Sequence, residues 1–206
     1  MLAEAANDSA KPVPVEPAAP PTSKPVAQPE RIAPETTPVE TQKGTSLSLQ
    51  AGVLGSLGWV PTLSPAAEVG LVLRHQSWSL GFDLVAVAAQ TRSLPNGLGA
   101  KVSIAYAALS PCLWLGHFGA CALGTLGRYA GQGAGVDSPL SGNHLHAAAG
   151  ARLQAMLPLS ARWSLGMHAD GVRILTRPQF LVAGQEVFLP PAWAANLGIF
   201  ASWQLL

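Results

Sequence analysis

The chain has 206 residues, of which 49% are hydrophobic and 11% charged, and its formal net charge is +1. Soluble domains carry roughly 25% charged residues, so these charges are too few to clothe an ordinary water-exposed surface. The near-zero net charge also removes any reason to invoke a nucleic-acid partner.

A membrane-spanning helix needs an apolar run of about eighteen residues or more. The best candidate, Val102 to Leu126, is broken by Pro111, His117 and several glycines. Apolar content without helical spans points to strands that place apolar residues on alternate positions, as in a membrane barrel. The opening Met1-Leu2-Ala3-Glu4 has neither a basic start nor an apolar stretch before a cleavage site, and reads as the remainder of a chain whose leader has been removed.

Residues 1–45 hold nine of the 18 prolines, from Pro12 to Pro38, and no aromatic residue. Such a stretch cannot bury enough apolar area to offset the entropy of ordering, so it is expected to be disordered, with extended polyproline II character. A reach through the periplasm and an unselective linker both fit it, the linker better. Gly44 marks the boundary.

From Ser46 the apolar period becomes two. In Ser46–Gly58, Leu47, Leu49, Ala51, Val53 and Leu57 alternate with Ser48, Gln50, Gly52 and Ser56. Ala66–Arg74 sets Ala67, Val69, Leu71 and Leu73 against Glu68, Gly70, Val72 and Arg74. Trp78–Gln90 sets Trp78, Leu80, Phe82 and Leu84 against Ser79, Gly81 and Asp83. In Leu98–Ala108, Ala100, Val102, Ile104 and Tyr106 alternate with Lys101, Ser103 and Ala105. Phe118–Tyr129 is weakest, with Leu123, Thr125 and Tyr129 against Gly124, Leu126 and Arg128. Asn143–Met156 places Leu145, Ala147, Ala149, Ala151 and Leu153 opposite His144, His146, Gly150, Arg152 and Gln154. Ala161–Val172 opposes Trp163, Leu165, Met167 and Ala169 to Arg162, Ser164, Gly166, His168 and Asp170. Ala192–Gln204 opposes Trp193, Leu197, Ile199 and Trp203 to Asn196, Gly198, Ser202 and Gln204.

These eight segments are each long enough to cross a bilayer at a barrel's tilt. In lipid such a sheet must close, because an open edge leaves backbone groups unsatisfied. The expected fold is therefore all-β: an eight-stranded antiparallel up-and-down transmembrane β-barrel over residues 46–206, preceded by the Pro/Ala-rich segment. Trp59, Trp78, Tyr106, Tyr129, Trp163, Trp193 and Trp203 fall near segment ends, where interfacial girdles belong. The alternative is a water-soluble barrel or sandwich with these rings in its core, but the polar face is too sparse to meet water. With the N-terminus periplasmic, odd connections are external and longer, even ones shorter; only the fourth, Leu109–His117, breaks the rule.

Cys112 and Cys121 lie inside that irregular connection. If Gly116-His117 is a two-residue turn, residue 115 faces 118 and 112 faces 121 on a non-hydrogen-bonded pair. Even positions of the fourth strand and odd ones of the fifth are expected to face lipid, which puts both cysteines on one face. A cross-strand disulfide and a pair of reduced thiols both fit this spacing. Pro111 removes a ladder hydrogen bond nearby and can shift the register through a bulge.

The C-terminal stretch Asn196-Leu197-Gly198-Ile199-Phe200-Ala201-Ser202-Trp203 follows the polar-x-Gly-x-x-apolar-x-apolar form of a barrel-assembly signal, although the chain ends on Leu205-Leu206 instead of an aromatic residue. With the eight segments, this resembles the OmpA/OmpX-like superfamily of small outer-membrane barrels over residues 46–206. The resemblance implies a bacterial outer-membrane location and insertion by the outer-membrane assembly machinery, with Asn196, Gly198, Ala201 and Trp203 carrying the signal. It implies no single activity.

The polar face gathers Glu68, Asp83 and Asp170 against Arg74, Lys101, Arg128, Arg152 and Arg162. An eight-stranded barrel is just wide enough to be filled by side chains, so these charges are expected to pair in a network that fills the lumen. A gated ion or proton path through that network is the competing reading. His144 and His146, with His168 and with Ser141 or Asp137, are the only candidates for lipid-modifying chemistry or a metal site, and no third ligand has a fixed spacing. There is no Gly-x-Ser-x-Gly elbow, phosphate loop or Cys-x-x-Cys, so no cofactor is expected. The leading expectation is a non-enzymatic outer-membrane protein in contact with lipid, its external loops meeting an unidentified partner. A passage for small apolar molecules and a barrel enzyme acting on outer-membrane lipid are the alternatives.

Overall fold

The computed structural model describes residues 44–95, 97–135, 141–182 and 184–206. The Pro-rich segment expected over 1–45 lies outside the described residues but for Gly44 and Thr45. Among the described residues ten strands occur in chain order: β1 Thr45–Leu57, β2 Ser64–His75, β3 Trp78–Ser93, β4 Gly99–Leu115, β5 Phe118–Ala134, β6 Ser141–Pro158, β7 Trp163–Ile174, β8 Phe180–Val182, β9 Gln185–Phe188 and β10 Trp193–Gln204. Eight of them close a barrel in the ring order β1-β10-β7-β6-β5-β4-β3-β2, and β8 and β9 form a separate hairpin. No helix occurs among the described residues.

Closure follows from β1, which pairs antiparallel with β2 along one edge and with β10 along the other. One can follow register partners round the ring from Ser46 through Arg74, Ser79, Cys112, Cys121, Arg152, Asp170 and Asn196 to Ser56. The walk returns ten residues further along β1. That stagger tilts the strands, and it threads the barrel's polar inward side chains into one rising spiral.

At one end of the barrel the connections are tight. Gln76-Ser77 joins β2 to β3, Gly116-His117 joins β4 to β5, and 159–162 joins β6 to β7. Gly116 sits at φ 61°, where glycine has no Cβ to strain, while Gln76 takes the same region at φ 50°. This is the turn end. The opposite, loop end is where β1, β3, β5 and β7 finish, at Leu57, Ser93, Ala134 and Ile174.

The structure differs from the sequence expectation in three respects. First, β4 runs on to Leu115, so the supposed connection Leu109–His117 is mostly strand and the exception to the loop-length rule disappears. The register is the same on both sides of Pro111, with Leu109 opposite Gly124 and Cys112 opposite Cys121, so no residue is inserted there. The irregularity lies in β3 instead, between Val87 and Gln90. Second, the last connection, expected as plain loop, contains the β8–β9 hairpin. Third, the two faces of β4 and β5 are exchanged. Val102, Ile104 and Tyr106 on β4, with Leu123, Thr125 and Tyr129 on β5, are buried inside the barrel, while Lys101 and Arg128 point outward. Here the interior is itself apolar and aromatic, so apolar alternation marks the inner face where elsewhere it marks the outer.

Candidate functional site

The inward residues of seven strands meet inside the barrel. Arg152 of β6 donates from Nε to Asp170 Oδ1 of β7 at 2.7 Å and from Nη2 to Asp170 Oδ2 at 3.1 Å. Its remaining Nη1 reaches Asp83 Oδ2 of β3 at 2.8 Å, three strands away round the ring. One planar guanidinium thus binds two carboxylates, one of them bidentately, a geometry that a lysine cannot reproduce. Asn196 of β10 extends the network. Its Nδ2 donates to Asp170 Oδ2 and to the Tyr106 hydroxyl, both at 3.2 Å, while its Oδ1 accepts from Ser56 Oγ and Trp59 Nε1, both at 2.8 Å. Tyr106 on β4 and Asn196 on β10 stand on opposite sides of the ring, four strands apart either way. Glu68 of β2 lies 3.6 Å from His168 Nδ1 of β7, whose ring stacks on Phe200.

Toward the loop end the interior is aromatic. Trp59 stacks on Tyr106 with centroids 4.8 Å apart, and His146 sits edge-on to Trp59 and to Tyr129. Thr125 Oγ1 lies 3.0 Å from His146 Nε2. The β8–β9 hairpin adds Phe180, which meets Tyr129 and Phe188 at 6.0 Å. Toward the turn end, Trp114 Nε1 donates to Ser79 Oγ, and the Arg74 guanidinium lies 4.3 Å over the Trp114 ring. Cys112 and Cys121 are joined by a disulfide on the inner face, across the β4–β5 rung, not on the lipid side expected for that parity. Glycines keep room for these groups: a Cβ on Gly70 would strike Asp83, and one on Gly198 would come within 2.7 Å of His168 Nε2.

Of the eight charges expected to pair, the structure brings Glu68, Asp83, Arg152 and Asp170 together. Arg74 is inside but meets Trp114 instead of an acid. Lys101, Arg128 and Arg162 are exposed on the outside. The cause is the exchanged parity of β4 and β5 for the first two and the position of Arg162 in the turn before β7. The histidines do not converge: His146 is enclosed by rings, His168 belongs with Glu68, and His144, exposed at the loop end, meets the buried Phe180. Ser141 is exposed and Asp137 lies outside the described residues. Among the described residues no three His, Cys, Asp or Glu side chains are placed to hold a metal ion. Trp59, Asn196 and Tyr106 are members of the cluster that sequence reasoning assigned elsewhere, to girdles or to the assembly signal. Asn196 was already on the polar face, Tyr106 was on an alternation whose inner side nothing local identifies, and Trp59 was in a connection where alternation assigns no face.

The outer wall is a continuous apolar band. Val53, Leu71, Phe82, Leu113, Leu153 and Ile199 are among its exposed side chains. Trp163 and Trp203 stack at the turn end with centroids 6.0 Å apart, Trp78 joins them there, and Trp193 lies at the loop end. Trp59, Tyr106 and Tyr129, expected in the same girdles, are inside. Of the assembly-signal residues, Asn196 and Gly198 face inward and Ala201 and Trp203 outward.

No family model matches the chain, and no curated protein matches it in sequence. The barrel is similar to the crystal structure of Ail, the attachment invasion locus protein of Yersinia pestis, with a TM-score of 0.51 at 8% identity, covering 78% of this chain and 97% of that one. It is also similar to a major outer membrane protein from Thermus thermophilus, with a TM-score of 0.50 at 12% identity, covering 79% and 100%. The chain therefore has the fold of small eight-stranded outer-membrane barrels.

Proposed function

We propose that this protein is a non-enzymatic barrel of the bacterial outer membrane, with a filled lumen and a structural or surface-interaction role. On this reading its apolar band lies in lipid, its turn end and N-terminal segment are periplasmic, and its loop end faces outward. The observation that carries it is the chain of contacts across the interior. Asp170, Arg152 and Asp83 tie β7 and β6 to β3, and Asn196 and Tyr106 tie β10 to β4. With an aromatic layer above and Trp114 below, such a lumen has no continuous aqueous path, because Arg152, Asp83, Asp170, Asn196 and Tyr106 cross it already bound to one another. The outer surface supports the membrane setting, since a wall of leucines ringed by tryptophans is stable in lipid and not in water.

The test is electrical. Purified protein in planar bilayers should give no stable conductance, and a steady nanosiemens-scale pore would overturn the filled lumen. Heat-modifiable migration on detergent gels checks the barrel, and digestion of intact cells checks the orientation: loops cut from outside, the N-terminal segment protected. A protected loop end with an accessible N-terminal segment would reverse the assignment.

A further inference from the structure

Cys112 and Cys121 are the chain's two cysteines, and they are joined to each other. They are nine residues apart with the turn Gly116-His117 between them, so the bond closes within a single hairpin, β4–β5. What surrounds the sulfurs comes from other strands. Gln154 Nε2 of β6 donates to Cys112 Sγ at 3.4 Å, and Met156 packs against the cluster of Cys112, Trp114 and Cys121. Ser79 of β3 is the register partner of Cys112, and Arg152 of β6 is that of Cys121.

In the closed barrel the sulfurs are walled in. The two cysteines are 5% and 6% exposed. Toward the loop end, Arg152 is bound to Asp83 and Asp170. Toward the turn end, a Cβ on Gly119 would lie 3.1 Å from Gln154 and 3.2 Å from Trp114, so the lumen there is filled. The outer face of the hairpin carries Leu113 opposite Ala120, part of the apolar wall. Cys112 stands four residues from Gly116, roughly 13 Å at the rise of a strand. A barrel of eight strands is too narrow to admit a protein domain to that depth. Thiol–disulfide exchange needs the attacking thiolate and the attacked sulfur in contact.

We propose that this bond is made before the barrel closes, by a periplasmic protein dithiol oxidase acting on the β4–β5 hairpin while its inner face is bare. The chain is then a substrate of that class of enzyme. This rests on the outer-membrane reading above, which sends the chain through an oxidising periplasm. The hairpin alone suffices as substrate, because its turn sets 112 opposite 121 without any other strand, and such local pairing forms early. The thiolate of one cysteine attacks the oxidase disulfide, giving a mixed disulfide and freeing one oxidase thiol. The second cysteine then attacks the sulfur of the first and expels the other oxidase thiol. The chain gives up two protons and two electrons, and the oxidase carries them away as a dithiol. With two cysteines in the chain only one internal pairing exists, so no isomerisation follows.

The experiment starts from the full chain, reduced in urea, and a purified thioredoxin-fold oxidase in its disulfide form. One sample meets the oxidase in urea and is then folded into phosphatidylcholine vesicles; the other is folded first. Acid quenching, denaturation and a gel-shifting maleimide count the remaining thiols. Oxidation should be at least about a hundredfold slower in the folded barrel, since it waits on opening. Cys112→Ser and Cys121→Ser should each capture the oxidase as a mixed disulfide before folding and not after. In pulse-labelled cells, oxidised chains should precede heat-modifiable ones, and loss of the dithiol oxidase should leave the chain reduced. Equal rates before and after folding, capture by a folded single variant, or reduced barrels that oxidise later each overturn the order. Oxidation at an unchanged rate in cells without the oxidase overturns the enzyme's part. A chain that folds into vesicles but is oxidised only after closure refutes this inference alone. One that never becomes heat-modifiable refutes the outer-membrane reading and the inference with it.

Discussion

Arg152→Met is the sharpest test of how the interior is held. The arginine side chain is 5% exposed, and its partners Asp83 and Asp170 are 4% and 2% exposed. Methionine keeps much of the stem's packing but removes three charge-assisted hydrogen bonds and strands two carboxylates beside Glu68. Breaking a buried pair from one side costs about 3–5 kcal/mol, chiefly because the remaining charge is left without compensation. The assay is urea unfolding of the barrel in detergent micelles, followed by tryptophan fluorescence, with Trp59 and Trp114 reporting from inside. A companion variant, Arg152→Met with Asp83→Asn and Asp170→Asn, separates lost attraction from stranded charge. It should recover at least about half of the loss, since no unpaired ion remains. A single-variant loss below about 1 kcal/mol, the size of an exposed ion pair, would refute the reasoning. So would a companion as unstable as the single variant.

Two further predictions address packing and sidedness. Gly70→Ala should destabilise by about 1–3 kcal/mol in the same assay, because its Cβ would strike the Asp83 carboxylate and come within 2.8 Å of the Phe82 carbonyl. Gly124→Ala, which meets nothing, should change stability by less than about 0.5 kcal/mol, and equal losses at the two sites would contradict the inward assignment. The six tryptophans sort into two sets. In single-tryptophan variants, brominated lipid should quench Trp78, Trp163, Trp193 and Trp203, and spare Trp59 and Trp114. Quenching of Trp59 comparable to that of Trp163 would show that its ring is not in the lumen.

Sequence alone determined a great deal here. Low charge without an apolar run of helical length pointed to strands with one apolar face and away from an ordinary water-exposed surface. Period two, from Leu47 to Trp203, determined the number of barrel strands and put Arg152, Asp83, Asp170 and Glu68 on one side of the sheet, because a strand has only two faces and a buried ion needs partners. Turn chemistry at Gly116-His117 placed Cys112 opposite Cys121. What alternation cannot carry is the sign of a face when both faces are apolar. On β4 and β5 the inner face carries Val102, Ile104, Tyr106, Leu123 and Tyr129, and the outer face carries Lys101 and Arg128 at a rim where a long side chain reaches polar surroundings. Only the closed ring decides between them. Its ten-residue stagger brings Asn196 to Tyr106 across the barrel and lays Trp59 on Tyr106, contacts between residues 90 and 47 positions apart that no local pattern encodes. The same closure decided that Cys112 and Cys121, paired by a local turn, are covered by Gln154 and Met156 of β6, because that neighbourhood is set by strand register and not by spacing along the chain.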